Sequence, residues 1–237
     1  MQKPTVSIII PTHNRREILN GLLKSISESA YLPDEVIIID DSSNPPFELN
    51  TSWGIKIKLL RNEKCYGPGK SRNIGVHNST GDILLFTDDD CLVSRNWITE
   101  MIQALQEGME SGLGGCGGTV KAYGSDVFSL YYDFHHILEP RPHDSKNPKR
   151  IPYLVTANCG VWRHAFMRAG GFDERIATAG GEDAAFSMRM AKMGYYFEFI
   201  PRAEIIHRYR SSLSDFCKTF YRYGLGGRYV VDRYLSS

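Results

Sequence analysis

The chain has 237 residues, 42% of them hydrophobic, which is enough for one large buried core. Its 28 Lys+Arg against 27 Asp+Glu leave a net charge of +1, so no global field favours nucleic acid or an anionic membrane and only a local patch would hold either. Five scattered cysteines without a CxxC pair argue against a disulfide framework and a zinc site, and no apolar run is long enough to span a bilayer, so the composition predicts a soluble protein of a reducing, cytoplasmic compartment that does not bind nucleic acid.

The opening "MQKPTVSIII" is too short for a signal-peptide core, and its β-branched run reads as a strand buried on both faces and stopped at Pro11. Asn14 and Glu17 have the spacing of a capping box, and Ile18, Leu19, Leu22, Leu23 and Ile26 follow at helical spacing. "DEVIIIDD" repeats the buried-strand pattern and ends in Asp40 and Asp41, while "GIKIKLLRN" alternates and predicts a more exposed strand. "GPGKSRNIGVHNSTG" reads as a turn into a short helix, "DILLFT" as the next strand, and "SRNWITEMIQALQEG" as a helix with Trp97, Met101, Leu105 and Met109 on one face. From about Gly115 the texture changes. "LGGCGGTV" predicts backbone passing close to a ligand or a strand, and the aromatic, Pro-containing stretch from Tyr123 to Arg150 predicts part helix and part long loop. "GGEDAAFSMRMAKMGY" returns to a helix with Phe186, Met190 and Met193 on its core face, and "FEFIPRAEIIH" is a last strand. The aromatic, basic tail is helical, with Gly224, Gly226 and Gly227 as expected interruptions.

This rhythm predicts an α/β fold: a mostly parallel, Rossmann-like central sheet with helices on both faces, in which ligands sit beyond the carboxyl ends of the strands. Thr12, Asp40 and the run Asp88-Asp89-Asp90 all fall at such ends. Three adjacent carboxylates repel one another, and a hard divalent cation such as Mn²⁺ or Mg²⁺, which prefers oxygen ligands and usually shares them with substrate phosphates, would relieve that repulsion. Strand alternation would place Asp88 and Asp90 on one face and Asp89 on the other. A solvated acidic turn is the plainer alternative for a lone pair of this kind.

The ordered set "VSIIIPTHNR", "EVIIIDDSS", "GKSRNIGV", "STGDILLFTDDD", "TANCGVWRHAFMRAGGFDER", "GGEDAAFSMRMAKMGY" and "IIHRYRSSL" resembles the family-2 glycosyltransferases of GT-A fold over nearly the whole chain. The resemblance implies an inverting, metal-dependent transfer of a sugar from a nucleotide-diphosphate donor, UDP by default, to a hydroxyl acceptor that is a saccharide, a lipid-linked saccharide or another molecule. Polysaccharide or glycolipid synthesis is the implied setting. It implies nucleotide contacts from Pro11, Thr12, Asn14, Asp40, Lys70, Arg72, Asp88 and Asp89, with Asp40 accepting a ring N–H of the base. Asp90 would hold the metal, His207 stands where some relatives place a further ligand, and Asn158, Gly160 and Glu182 would line the sugar and acceptor side. Asp183 would be the catalytic base, kept ionised by its place at a helix start. A lone histidine near a strand end is as readily structural, so both readings of His207 stand.

The expected organisation is a nucleotide-sugar half over 1–115, an acceptor and catalytic half over 116–210 and a helical tail over 211–237. Phe216, Phe220, Tyr221 and Tyr223 in that tail, with Lys218, Arg222 and Arg228, read either as a helix packed on the body or as an amphipathic surface making peripheral contact with a membrane. No QxxRW motif occurs, so a single addition per encounter is expected rather than processive synthesis. Two competing readings are weaker. Nucleotidyl transfer needs a glycine-rich loop where "PTHNRREIL" stands, and an aspartyl phosphatase needs a DxD there. A catalytically degenerate nucleotide-sugar-binding module is the non-enzyme alternative.

Overall fold

The computed structural model describes residues 3–49, 52–142 and 145–235. Its elements run β1 (Val6–Thr12), α1 (Arg16–Ser27), β2 (Glu35–Asp40), β3 (Ile57–Arg61), α2 (Pro68–His77), β4 (Ile83–Thr87), β5 (Cys91–Val93), α3 (Trp97–Glu107), β6 (Leu113–Ala122), α4 (Val127–Phe134), β7 (Arg150–Ile151), β8 (Asn158–Trp162), α5 (Arg163–Arg168), α6 (Glu182–Lys192), β9 (Tyr196–His207) and α7 (Leu213–Val230). One sheet carries the strands in the order β3-β2-β1-β4-β8-β6-β9-β5, with β7 paired to β9.

The stretch β3-β2-β1-β4 is wholly parallel, with Thr12 opposite Asp40 in the β1–β2 register. Its carboxyl ends therefore open on one side, where the polar clusters lie. Beyond β4 the direction reverses, since β8 runs antiparallel to both β4 and β6. The strongly apolar runs of β1, β2 and β4 are buried on both faces: Ile8, Ile9, Ile10, Ile37, Ile38, Leu84 and Leu85 expose nothing. β3, the alternating strand, is the edge and is only half-buried.

After β4 the chain turns through residues 88–90 and resumes as β5, which pairs antiparallel with the end of β9 so that Cys91 faces His207 across the ladder. That pairing brings a histidine more than 100 residues away to the acidic turn. The glycines of β6 let it lie close to β9, for a Cβ at Gly118 would sit 1.9 Å from the Ala203 carbonyl oxygen. An aromatic cluster of Phe86, Phe166, Phe172 and Phe186, with centroids 5.0–5.7 Å apart, fills the space under the site.

Several local expectations are corrected. Asn14 does not cap α1. It has φ 58°, and its side chain accepts the Asn44 N–H at 2.7 Å, so no capping box forms. Met109 lies beyond the end of α3 in a 3₁₀ turn and is 43% exposed, and Met193 at the end of α6 is 41% exposed; both fall just past the last turn that packs. The tail glycines do not interrupt α7, which continues through all three. Among the described residues no helix is long and apolar enough to cross a membrane.

Candidate active site

A cavity of about 390 Å³ opens at the carboxyl ends of β1, β2 and β4. Its floor is the loop after β1, with Pro11, Thr12 and His13, and the acidic turn Asp88, Asp89 and Asp90. His207 closes one side, and α7 closes the top with Phe216, Thr219, Arg222 and Tyr223.

The acidic turn is divided between two arginines. Asp88 pairs with Arg72 at 2.6 Å. Asp89 and Asp90 both accept from Arg15 Nη1, at 2.8 and 2.5 Å, and Asp89 also accepts the Thr12 hydroxyl at 2.7 Å. Because 88–90 is a turn and not a strand, alternation does not apply: Asp89 and Asp90 converge, and Asp88 is the one that departs. Burial pushes Asp89 up to about 6, with Arg15 pulling against the rise and Asp90 adding to it.

His207 Nε2 lies 3.3 Å from Asp90 Oδ1, and Asp90 Oδ1 and His207 Nδ1 are both buried without a hydrogen-bond partner. Ligand atoms of Asp90, Cys91 and His207 lie within 4.8 Å of one another. Burial holds the Cys91 thiol far above its ordinary pKa, so it stays protonated and is a poor ligand for a hard ion. Asp90 and His207 therefore fit a Mn²⁺-type site with two protein ligands, the remaining positions falling to phosphate oxygens and water.

Arg72 is almost wholly buried over the Phe172 ring, and it reaches from Asp88 to Glu182, 3.1 Å from its other amino group. Glu182 also accepts the Gly180 N–H at 2.7 Å. This chain of contacts ties the start of α6 to the acidic turn, although neither Glu182 nor Asp183 is among the residues lining the cavity. Burial, with the negative charge of Glu182 beside it, pushes Asp183 up to about 7 and outweighs both the Ala184 N–H and Arg72. The helix dipole thus does not keep Asp183 fully ionised at neutral pH, contrary to the reading from sequence.

Other candidate residues lie elsewhere. Asp40 is 1% exposed and turned inward, accepting N–H bonds from Ser43 and Phe47 and pairing with Arg61. Burial alone would raise its pKa, but these donors hold it below the usual carboxylate range. The cavity is faced instead by Asp41, whose carboxylate accepts from Asn62 and from the Tyr66 and Gly67 N–H groups. Lys70 pairs with Glu174 at 3.2 Å and sits over Tyr66, outside the cavity wall. Asn158 is a buried structural pin: it accepts the Trp97 indole N–H at 2.7 Å and donates to the carbonyls of Thr119 and Ala203. Gly160 is packed against Leu85 in the core, and neither it nor Asn14 reaches the cavity. Arg15 closes the motif "VSIIIPTHNR" and Arg222 belongs to the aromatic, basic tail, but neither is singled out there as a site residue, and only the fold shows that both line the cavity.

The strand order, parallel through β3-β2-β1-β4 and mixed beyond it, with helices packed on the sheet, is that of a GT-A fold. Solved structures share that fold. The mannosyltransferase PcManGT from Pyrobaculum calidifontis, in complex with GDP-Man and Mn²⁺, superposes with a TM-score of 0.64 at 20% identity over 90% of this chain and 59% of that one. GalNAc-T7 with UDP, GalNAc and Mn²⁺ gives 0.67 at 19% identity over 87% of this chain and 43% of that one. The model of glycosyl transferase family 2 matches residues 7–169, and the chain belongs to that family. Among curated proteins it is 28% identical over 242 residues to the probable N-acetylgalactosaminyltransferase 7 of Caenorhabditis elegans, covering 89% of this chain but 40% of that protein. The chain thus spans well under two thirds of that relative.

Proposed function

We propose that this chain transfers a sugar from a nucleotide-diphosphate donor, UDP by default, to a hydroxyl of a saccharide or lipid-linked acceptor, one addition per encounter and with inversion at the anomeric carbon. The observation that carries the reading is the meeting, in one cavity, of the acidic turn with His207, while Arg72 ties the Asp183 helix to that turn. Two solved neighbours of this fold were determined with GDP-Man or UDP together with Mn²⁺, which supports a nucleotide-sugar donor here.

A divalent ion held by Asp90 and His207 would supply positive charge for the diphosphate that leaves. The chain's own residues do the rest. Asp41 and the Pro11–His13 loop frame the nucleotide end of the cavity, and the turn that supplies Asp41 is fixed by its bonds to Asn62, Tyr66 and Gly67. Arg72 neutralises Asp88 and Glu182, so that the cleft does not repel a substrate anion. Asp183 accepts the acceptor's hydroxyl proton as the new bond forms, and a pKa near neutrality suits a base that must take up and then release a proton.

The test is a thermal-shift screen of nucleotide sugars with and without Mn²⁺, since a bound donor raises apparent stability by mass action. One donor class should raise the melting temperature only with the metal, and proton NMR of the product should show the inverted anomer. No stabilising donor would refute the sugar-nucleotide reading, and a retained anomer would refute the role of Asp183. Donor binding without hydrolysis or transfer would leave a nucleotide-sugar-binding module.

A further inference from the structure

The geometry points to Arg222 as a residue that binds and positions the donor's diphosphate, brought over the cavity by α7; this rests on the sugar-nucleotide reading of the site.

Five arginines line the cavity: Arg15, Arg72, Arg208, Arg210 and Arg222. Three of them already face carboxylates, Arg15 on Asp89 and Asp90, Arg72 on Asp88 and Glu182, and Arg210 on Asp215 at 3.6 Å. Arg208 lies 4.0 Å over the Tyr123 ring. Arg222 makes one hydrogen bond, from Nη2 to the Thr219 hydroxyl at 3.1 Å, and its Nε is buried with no acceptor. Arg222 is partly exposed, but a guanidinium Nε–H left unmet away from water is costly.

The carboxylates of the cavity do not supply the missing partner. Asp88 and Asp89 are held by Arg72 and Arg15, Asp90 gives one oxygen to Arg15 and keeps the other beside His207, Asp215 accepts from Ser212, and Asp41 is satisfied by Asn62 and two backbone N–H groups. The phenols of Tyr132 and Tyr223 supply no compensating charge, because burial raises the pKa of both and keeps them neutral. What fits is an anion with several acceptor oxygens. The Asp90 and His207 atoms that suit a divalent ion line the same cavity, so an anion that also ligates the ion, a diphosphate, meets both needs.

Arg222 is placed rather than free to swing. Asp215, Phe216, Thr219, Arg222 and Tyr223 recur at helical spacing and form the cavity face of α7. Phe216 and Phe220 pack on Tyr131 and Tyr132 of α4, which fixes the rotation of the first half of the helix. One turn past Arg222, a Cβ at Gly226 would lie 1.9 Å from the Gly180 carbonyl oxygen, so the helix seats backbone to backbone on the loop that leads to Asp183. Donors held in advance, where the leaving group's charge grows, lower the barrier without rearrangement.

The deciding experiment is calorimetric titration of UDP and of UMP, each with Mn²⁺, into the wild-type chain, Arg222→Gln and Arg222→Lys. UMP lacks the β-phosphate, so it reports the nucleoside, α-phosphate and metal contacts, and the difference from UDP isolates the β-phosphate that Arg222 is assigned to hold. Wild type should prefer UDP, Arg222→Gln should weaken UDP by about 10- to 100-fold while leaving UMP affinity unchanged, and Arg222→Lys should fall between. Equal losses for both nucleotides, or none for either, would overturn the assignment, as would an effect of either variant confined to the acceptor's KM. A wild-type chain that binds neither nucleotide would instead sink the donor reading itself. If Arg222→Gln melts well below wild type, the contrast between UDP and UMP in Arg222→Lys decides between the same outcomes.

Discussion

Asp40 and Asp41 are neighbours with opposite surroundings. Both close the second strand, and nothing in "DEVIIIDDSS" says which one faces a ligand, because a strand buried on both faces has no polar side to mark. The turn decides: with Ser42 at φ 65°, Asp40 is left to the Ser43 and Phe47 N–H groups and Asp41 to the cavity. Asp40→Ala should therefore lower stability, by about 1–3 kcal/mol in a denaturant titration, through donors left buried and unmet. The motif marks Asp183 as the candidate base we propose, but it says nothing of its charge state, since burial and Glu182 are features of the folded chain. Asp183→Asn should abolish transfer while leaving donor affinity near wild type. In wild type, the rate should fall roughly tenfold per pH unit below about pH 7 and level off above it, because only the ionised form accepts a proton. A flat profile from pH 5.5 to 8 would remove Asp183 from that role.

Elements were more legible than their ends. The apolar runs and periods of β1, α1, β2, β4, α3 and α6 can be read directly, whereas Met109 and Met193 sit where a period continues on paper after the helix has stopped. The glycines of α7 were misleading for a related reason. Propensity counts against a helix there, but seating on Gly180 and Gly181 needs a residue without a side chain at Gly226. Gly226→Ala should lower the melting temperature by several degrees and weaken donor binding, whereas Gly224→Ala, with open space around it, should raise or leave the melting temperature. Asn158 shows how a polar residue in a motif can serve packing. It joins α3, β6 and β9 by three hydrogen bonds, and Asn158→Ala should cost about 2–4 kcal/mol in denaturant unfolding.

At the scale of the whole molecule, the parallel half of the sheet follows from the strand–helix alternation and the right-handed crossovers it enforces. The antiparallel half does not, because short strands such as β5 take their pairing from long-range contacts; the β5–β9 ladder, which sets His207 beside Asp90, could be anticipated only through family resemblance. That ladder makes Asp90 and His207 one site, and the central claim rests there. The most direct measurement is calorimetric titration of UDP into the wild-type chain and Asp90→Asn, each with Mn²⁺ and with the metal removed by EDTA. Binding should be strong only in wild type with Mn²⁺. Equal UDP affinity without the metal, or in Asp90→Asn with it, would contradict a donor held through an ion at this turn.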